Sequence, residues 1–459
     1  MCEIGRSAIA VVLLSVGCTF SRPEPLRPAS EVTAQAPAAA PSLGEAVLAL
    51  HNPLLADRAV DWSDGLDPDE AALLAAANNP ELRAARAARA EAAAELVEAG
   101  LFPNPTLGAD LAQPTGGPDS ENLVLSYGLS LSIDTQSLVT RSAHVDAARA
   151  NATSVDLGLA WQEWQVAQAA RLEAVRLGRL RRRLEVARGE IEFLEETTSH
   201  LEGALARGDT SLVALGVQRA ALEGARQVRR ELETAEVTSE STLLVRLGLP
   251  PETQLELTTP EPPREVTVSL SELRASVGEC LARRLDLEAL RAGYDAQEAK
   301  LRQAVLEQLP AISVGLSKQR NESEIRFLGG FVTASLPVFD RAQGRIALAE
   351  ATRTRLSREF EARVIDARRE IDALERALEI GSRQLAEVER SLPELAQLEA
   401  SERAAALRGD VDRTAYQAVR TALFELRLTQ ESLAQAQAET AIGLELACGG
   451  RLAVAEARS

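Results

Sequence analysis

The sequence predicts a mainly α-helical chain, built twice over, with a small transmembrane β part in each half. Three observations predict it. Hydrophobic residues make up 46 % of the 459 residues, yet aromatics are only 3 % and charged residues 26 %. That composition suits long helices that pack through Ala and Leu and carry charge on their outer faces. The stretch LVLSYGLSLSI (123–133) alternates apolar with small or polar residues over a membrane-spanning length. And the second half of the chain repeats the first.

The chain begins MCEIGRSAIAVVLLSVGC. Arg6 precedes an apolar run from Ser7 to Val16, too short to span a bilayer as a folded helix and suited to the core of a secretory signal. Small residues then lead into Cys18, which resembles a bacterial lipoprotein signal, although Leu14 stands one place further from the cysteine than is usual there. The expectation is a signal peptide over 1–17 and a lipidated Cys18 as the mature first residue. By analogy with lipoprotein sorting, Thr19 points to the outer membrane. Residues 18–42 are rich in Pro and Ala and read as an extended linker.

The first repeat is read over 43–260 and the second over 261–450, with a tail at 451–459. NPELRAARAARAEAAAELVEAGLFPNPTLGADL (79–111) lies ungapped over RLDLEALRAGYDAQEAKLRQAVLEQLPAISVGL (284–316). Leu82 meets Leu287, Arg86 meets Arg291 and Pro105 meets Pro310. Each half opens with a short helix, at about 80–102 and 285–308, stopped by Pro103 and Pro105 or by Pro310. Two strands follow, at about 106–112 and 123–133, and again at about 311–318 and 328–338. Next come very long helices, about 138–206 and 341–407, each roughly 100 Å at 1.5 Å per residue. Medium helices, about 210–247 and 411–447, complete each half. The short and medium helices together nearly match the long one, so two helices stacked end to end fit beside it. Pro393, where the first half has Glu192, predicts a kink in the second long helix.

In the first strand pair Leu123, Leu125, Tyr127, Leu129, Leu131 and Ile133 share one face, with Val124, Ser126, Gly128, Ser130 and Ser132 on the other. That pattern places lipid on one side and a wet lumen on the other. Four strands cannot close a barrel in lipid, because open edges leave backbone groups unsatisfied. The chain must then oligomerise: two copies give eight strands and a filled lumen, three give twelve and room for a channel.

The net charge of −18 argues against a nucleic-acid partner. The histidines, His51, His144 and His200, are scattered, and the four cysteines have no metal-binding spacing. No phosphate loop, nucleophile elbow or zinc-protease motif is present. The sequence therefore assigns no catalytic residue, no metal and no cofactor, and reads as a non-enzyme. Cys280 and Cys448 are the pair available for a disulfide in an oxidising compartment, but spacing alone does not bring their Cα atoms within about 7 Å.

Signal, cysteine, duplication, strand pairs, long helices and doubled turns together resemble the TolC-type outer-membrane efflux proteins, and most closely their lipoprotein branch of multidrug and heavy-metal exit ducts. The resemblance spans about 75–450. It implies a homotrimer with a twelve-stranded barrel in outer-membrane lipid and a helical tunnel across the periplasm. A periplasmic adaptor and an inner-membrane pump would dock at the far end. ARGDT (206–210) and LRGDV (407–411) then become the hairpin tips. Gly208 and Gly409 suit the left-handed position that ends a helix. Arg207 and Arg408 suit its negative end, and Asp209 and Asp410 suit capping of the next helix. The family's adaptor contact maps onto Ala206, Arg207, Gly208, Asp209 and Thr210, and onto Leu407, Arg408, Gly409, Asp410 and Val411. Some relatives carry an acidic gate just past the second turn. The matching places here are Ala415 and Ala418, so such a gate would fall to Asp410 and Asp412. The alternative is a periplasmic coiled-coil adaptor or scaffold lipoprotein, which would carry one helical hairpin rather than two with strand pairs.

Overall fold

The structure is a computed structural model that describes residues 23–28, 47, 50, 52–55, 65–116, 123–258, 277–408 and 413–451. Residues 1–39 and 40–459 form separate compact units. The signal peptide, Cys18 and most of the linker lie outside the described residues. In the first unit, residues 23–28 are exposed and irregular.

The first helix of the second unit that is described throughout is α1 (Pro68–Asn78), which the sequence reading did not anticipate. Its start is a reciprocal cap: the Asp67 carboxylate accepts from Glu70 N, and Glu70 accepts from Asp67 N. Then come α2 (Pro80–Gly100), β1 (Thr106–Ala112) and β2 (Ser126–Asp134). The long α3 (Gln136–Arg207) and α4 (Leu212–Leu247) complete the first half. The second half repeats this order: α5 (Val277–Arg283), α6 (Leu285–Leu306), β3 (Ala311–Arg320), β4 (Arg326–Ser335), α7 (Gln343–Arg408) and α8 (Arg413–Cys448). Pro393 lies inside α7, whose helix continues past it. At 72 residues α3 is roughly 108 Å long, and α7, at 66, about 99 Å.

Helix α3 packs along α1, α2, α4, α6 and α8. It therefore belongs to the cores of both halves. The largest cluster joins Leu66, Leu74, Ala75, Leu177, Leu243 and Leu247 where α1, α3 and α4 meet. A second joins Ile371, Leu378, Leu444 and Ala447 between α7 and α8. Between the halves, α3 and α8 are sewn by Arg–Glu pairs: Arg171 with Glu445, Arg176 with Glu439 at 3.0 Å, and Arg179 with Glu431 at 2.9 Å. Alanines and glycines let helices approach. A Cβ on Gly293 of α6 would lie 3.3 Å from the Ser154 hydroxyl of α3.

The short and medium helices do stack end to end, at one junction in each half. In the first, α4 ends at Gly248 (φ 65°) against the start of α2. Asn79 serves both helices: its carbonyl accepts from Glu81 N at 2.9 Å, and its amide donates to Arg246 O at 3.0 Å. Asn78 donates to Leu247 O at 2.7 Å. In the second junction α8 ends at Gly449 (φ 63°), and Arg284 stands where Asn79 did. Its guanidinium donates to Ala447 O at 2.9 Å and pairs with Asp286 at 2.8 Å. It also lies over the Trp161 ring, at 4.8 Å. Cys280 and Cys448 form a disulfide here, with Cα atoms 4.3 Å apart.

The strands form one antiparallel sheet in the order β1-β2-β3-β4. Pairing puts Leu107, Leu131, Leu316 and Gly330 in one row, and Ile133, Val314 and Val332 in another on the same face. That face is exposed: Leu316 is 66 % and Val332 70 % accessible. Ser130, Ser132, Ser317 and Gly315 line the opposite face. Every long helix leaves from the end of the sheet opposite the two hairpin loops. Asp134 makes that exit on the first side, accepting from Gln136 N and Ser137 N at 3.1 Å each. No helix among the described residues is long and apolar enough to cross a membrane, so the sheet carries the only membrane pattern found there.

Candidate functional site

The first hairpin tip is built as a helix-ending turn. Gly208 sits at φ 82°, in the left-handed region that a Cβ would strain. Its N–H points back to Leu205 O at 3.0 Å, and Asp209 N reaches Ala204 O at 2.9 Å, which closes the last turn of α3. Arg207 lies in that last turn. Asp209 does not cap α4. It accepts instead from Arg207 Nε at 2.9 Å. The cap is Ser211, whose hydroxyl accepts from Ala214 N at 3.2 Å. The reason is geometric: α4 starts at Leu212, so Asp209 stands two residues too early to reach the first free N–H groups.

Beyond the cap, Leu212 and Val213 are 73 % and 74 % exposed, an apolar step on the outside of the tip. Ala206 lies in the last turn of α3, and Thr210 in the short loop before the cap. At the second tip, Leu407 and Arg408 end α7. Gly409, Asp410, Val411 and Asp412 lie outside the described residues, and with them the acidic pair considered for a gate.

The structure gathers other acids behind the tips, on residues the sequence reading missed. Arg420 of α8 donates to Glu190 of α3 at 3.0 Å and to Glu399 of α7 at 3.2 Å. The Tyr416 hydroxyl donates to Glu399 at 2.8 Å, and the Phe193 ring lies 3.9 Å under the Arg420 guanidinium. Burial raises the Glu190 pKa, against the pull of Arg420. Burial, then the bond to Glu399, pushes Tyr416 up to about 12. The cluster ties three helices together roughly 25 Å behind the first tip. Only the i, i+4 spacing of Tyr416 and Arg420 is written in the sequence. Their partners lie in the other helices, far away along the chain.

At the other end, both edges of the sheet, β1 and β4, have no strand partner among the described residues. An open edge in lipid leaves its N–H and C=O groups unsatisfied.

No family model matches the chain, and no curated protein does. Solved structures do match. CusC, whose crystal structures concern folding and transmembrane channel formation, is 19 % identical, with 88 % of this chain and 97 % of that one covered and a TM-score of 0.70. The outer-membrane channel OprN is 16 % identical, covering 85 % and 94 %, with a TM-score of 0.71. The outer membrane protein VceC of Vibrio cholerae is 16 % identical, covering 84 % and 96 %, with a TM-score of 0.68. The fold is thus that of outer-membrane channels. It is the architecture expected from the TolC-type resemblance, with paired long helices and a four-stranded antiparallel sheet.

Proposed function

We propose that the chain is a TolC-type exit duct in a bacterial outer membrane. It would work as a homotrimer and pass substrates from an inner-membrane pump and a periplasmic adaptor to the exterior. One observation carries this reading. A four-stranded sheet, apolar on one face and open at both edges, stands at one end of helices about 100 Å long. Three copies supply twelve strands, which closes the edges and leaves a lumen faced by Ser130, Ser132, Ser317 and Gly315 together with Asp110, Gln319, Phe327 and Phe331. Transport energy belongs to the pump, so the duct itself needs no catalytic residue.

The tips at 206–210 and 407–411 are the adaptor's docking ring in this reading. The exposed Leu212 and Val213 beside the first tip give an apolar partner something to bury. Lipidation at Cys18 rests on the residues around that cysteine, and an acylated Cys18 peptide in mass spectra of the mature protein is the expected result. Full-length protein reconstituted in planar bilayers should conduct ions in discrete steps, and cross-linking should stop at three chains. Protein that folds but neither conducts nor trimerises overturns the proposal. Gly208→Val with Gly409→Val should insert and trimerise normally yet lose export; unchanged export removes the docking role from the tips.

A further inference from the structure

The apolar face of the sheet ends at its hairpin edge in an unusual row. Leu111, Tyr127, Arg320 and Arg326 pair in order across the four strands. They share the face of Leu131 and Leu316. One row nearer the helices, Lys318 lies on the same face between Leu129 and Leu328. Arg320 and Arg326 are directly opposite each other on neighbouring strands, an arrangement that like charges disfavour. Glu324 takes up one side of Arg320, at 2.7 Å. Lys318 and Arg326 have no anionic partner among the described residues.

These cations stand at a defined height. Below them Ile312, Val314, Leu316, Val332 and Leu131 form the apolar band. Above them is the turn 321–324, polar throughout, followed by the exposed Ile325. Tyr127 beside Arg320 is the aromatic that favours a membrane–water boundary. The long stems of Lys318 and the arginines can lie on apolar surface while their heads reach upward. What meets them at that height is the headgroup layer of the leaflet on the hairpin side. A phosphate there offers what the sheet lacks: an anion that bridges two opposed guanidinium groups, which arginine recognises in bidentate fashion.

We propose that Lys318, Arg320 and Arg326 form a binding site for the phosphate of an anionic lipid headgroup at the outer rim of the barrel. The inference rests on the membrane-spanning reading of the sheet. In the trimer it gives three such sites around the ring.

The test uses full-length protein in phosphatidylcholine vesicles with a minor share of phosphatidic acid. Flotation that survives an alkaline carbonate wash and is kept by a Cys18→Ser variant establishes insertion of the sheet rather than anchoring by acyl chains, and native mass spectrometry counts the phosphatidic acid retained. Wild type should retain it in excess of its share. Lys318→Gln/Arg320→Gln/Arg326→Gln should float equally and lose that excess, by roughly fivefold per cation removed. Lys318→Arg/Arg320→Lys/Arg326→Lys keeps the charge but loses the two guanidinium forks, and should retain more than the neutralised variant and less than wild type. Equal retention by wild type and the neutralised variant overturns the site while leaving the membrane reading intact. Wild-type protein that does not float overturns both.

Discussion

The two end-to-end junctions solve one problem with different chemistry. In both, the carbonyl end of a medium helix meets the N–H end of a short one, so the helix dipoles run head to tail. In the first, neutral amides satisfy both ends, and the packing comes from α1, whose seven residues from Glu70 to Ala76 are all buried. In the second, α5 has one buried residue, Cys280. There the work passes to a buried guanidinium and a covalent bond. Arg284, 1 % exposed in its side chain, takes the place of Asn79. The disulfide partners stand where the first half has Ala75 and Leu247, both core residues. A duplicated joint can thus lose its apolar support if charge and a cross-link replace it.

The largest break in that comparison should come from Arg284→Leu. It leaves Asp286 half-buried with only Arg363, at 2.7 Å, and strips Ala447 O of its donor. A loss of about 3–5 kcal/mol is expected, read from the denaturant midpoint of the assembled protein. A loss under about 1 kcal/mol would show the guanidinium to be dispensable. The same site sets a pH sign. Burial alone would raise the Asp286 pKa, but bonds and charges from Arg284 and Arg363 outweigh it and hold it below the ordinary carboxylate range. The stability it contributes is present above the unfolded value of about 3.9 and is lost as pH falls through the lower folded value. In Arg284→Leu that loss should begin at higher pH.

Next is Cys280→Ala with Cys448→Leu, which gives the second junction the residues of the first. Without α1's buried face the swap should cost about 2–4 kcal/mol. Wild type in reductant should fall to a similar midpoint, while the variant ignores reductant. If reductant leaves wild type unchanged, the cross-link does not replace packing.

The glycines sharpen the contrast further. Alanine at Gly248 would place its Cβ 2.7 Å from Asn78 O, and at Gly449 3.1 Å from Arg283 O. Each adds about 1–2 kcal/mol of left-handed strain, so both should destabilise, Gly248→Ala more. The reverse order would mean that the first junction is the more yielding. Smallest should be Asn79→Ala, about 1 kcal/mol for one cap and one bridging bond. Measured beside Arg284→Leu, it tests whether equivalent positions carry unequal loads.

Much of this was legible in the sequence because it is written locally. Period-two alternation gave the strands, proline gave the ends of the short helices, and Gly208 gave the turn. What was missed has two causes. Helix α1 was hidden because its cap, Asp67 with Glu70, precedes an alanine run of little amphipathic contrast. The Arg420–Glu190–Glu399 cluster depends on which helices lie side by side, and no local pattern records that. For the same reason the sequence names Cys280 and Cys448 as a pair but leaves their bond open. Asp209 was misassigned for a smaller reason, a helix start two residues later than an aspartate could cap.

The open edges of the sheet also have a genetic consequence. If three copies close the ring, β4 of each must pair with β1 of the next, a head-to-tail contact in which every chain serves both neighbours. One chain with a spoiled edge then breaches the whole wall. Co-expressed in equal amount with wild type, it would leave only about one ring in eight with three sound members. A proline in the middle of β1 or β4 would therefore act as a dominant poison rather than a recessive loss.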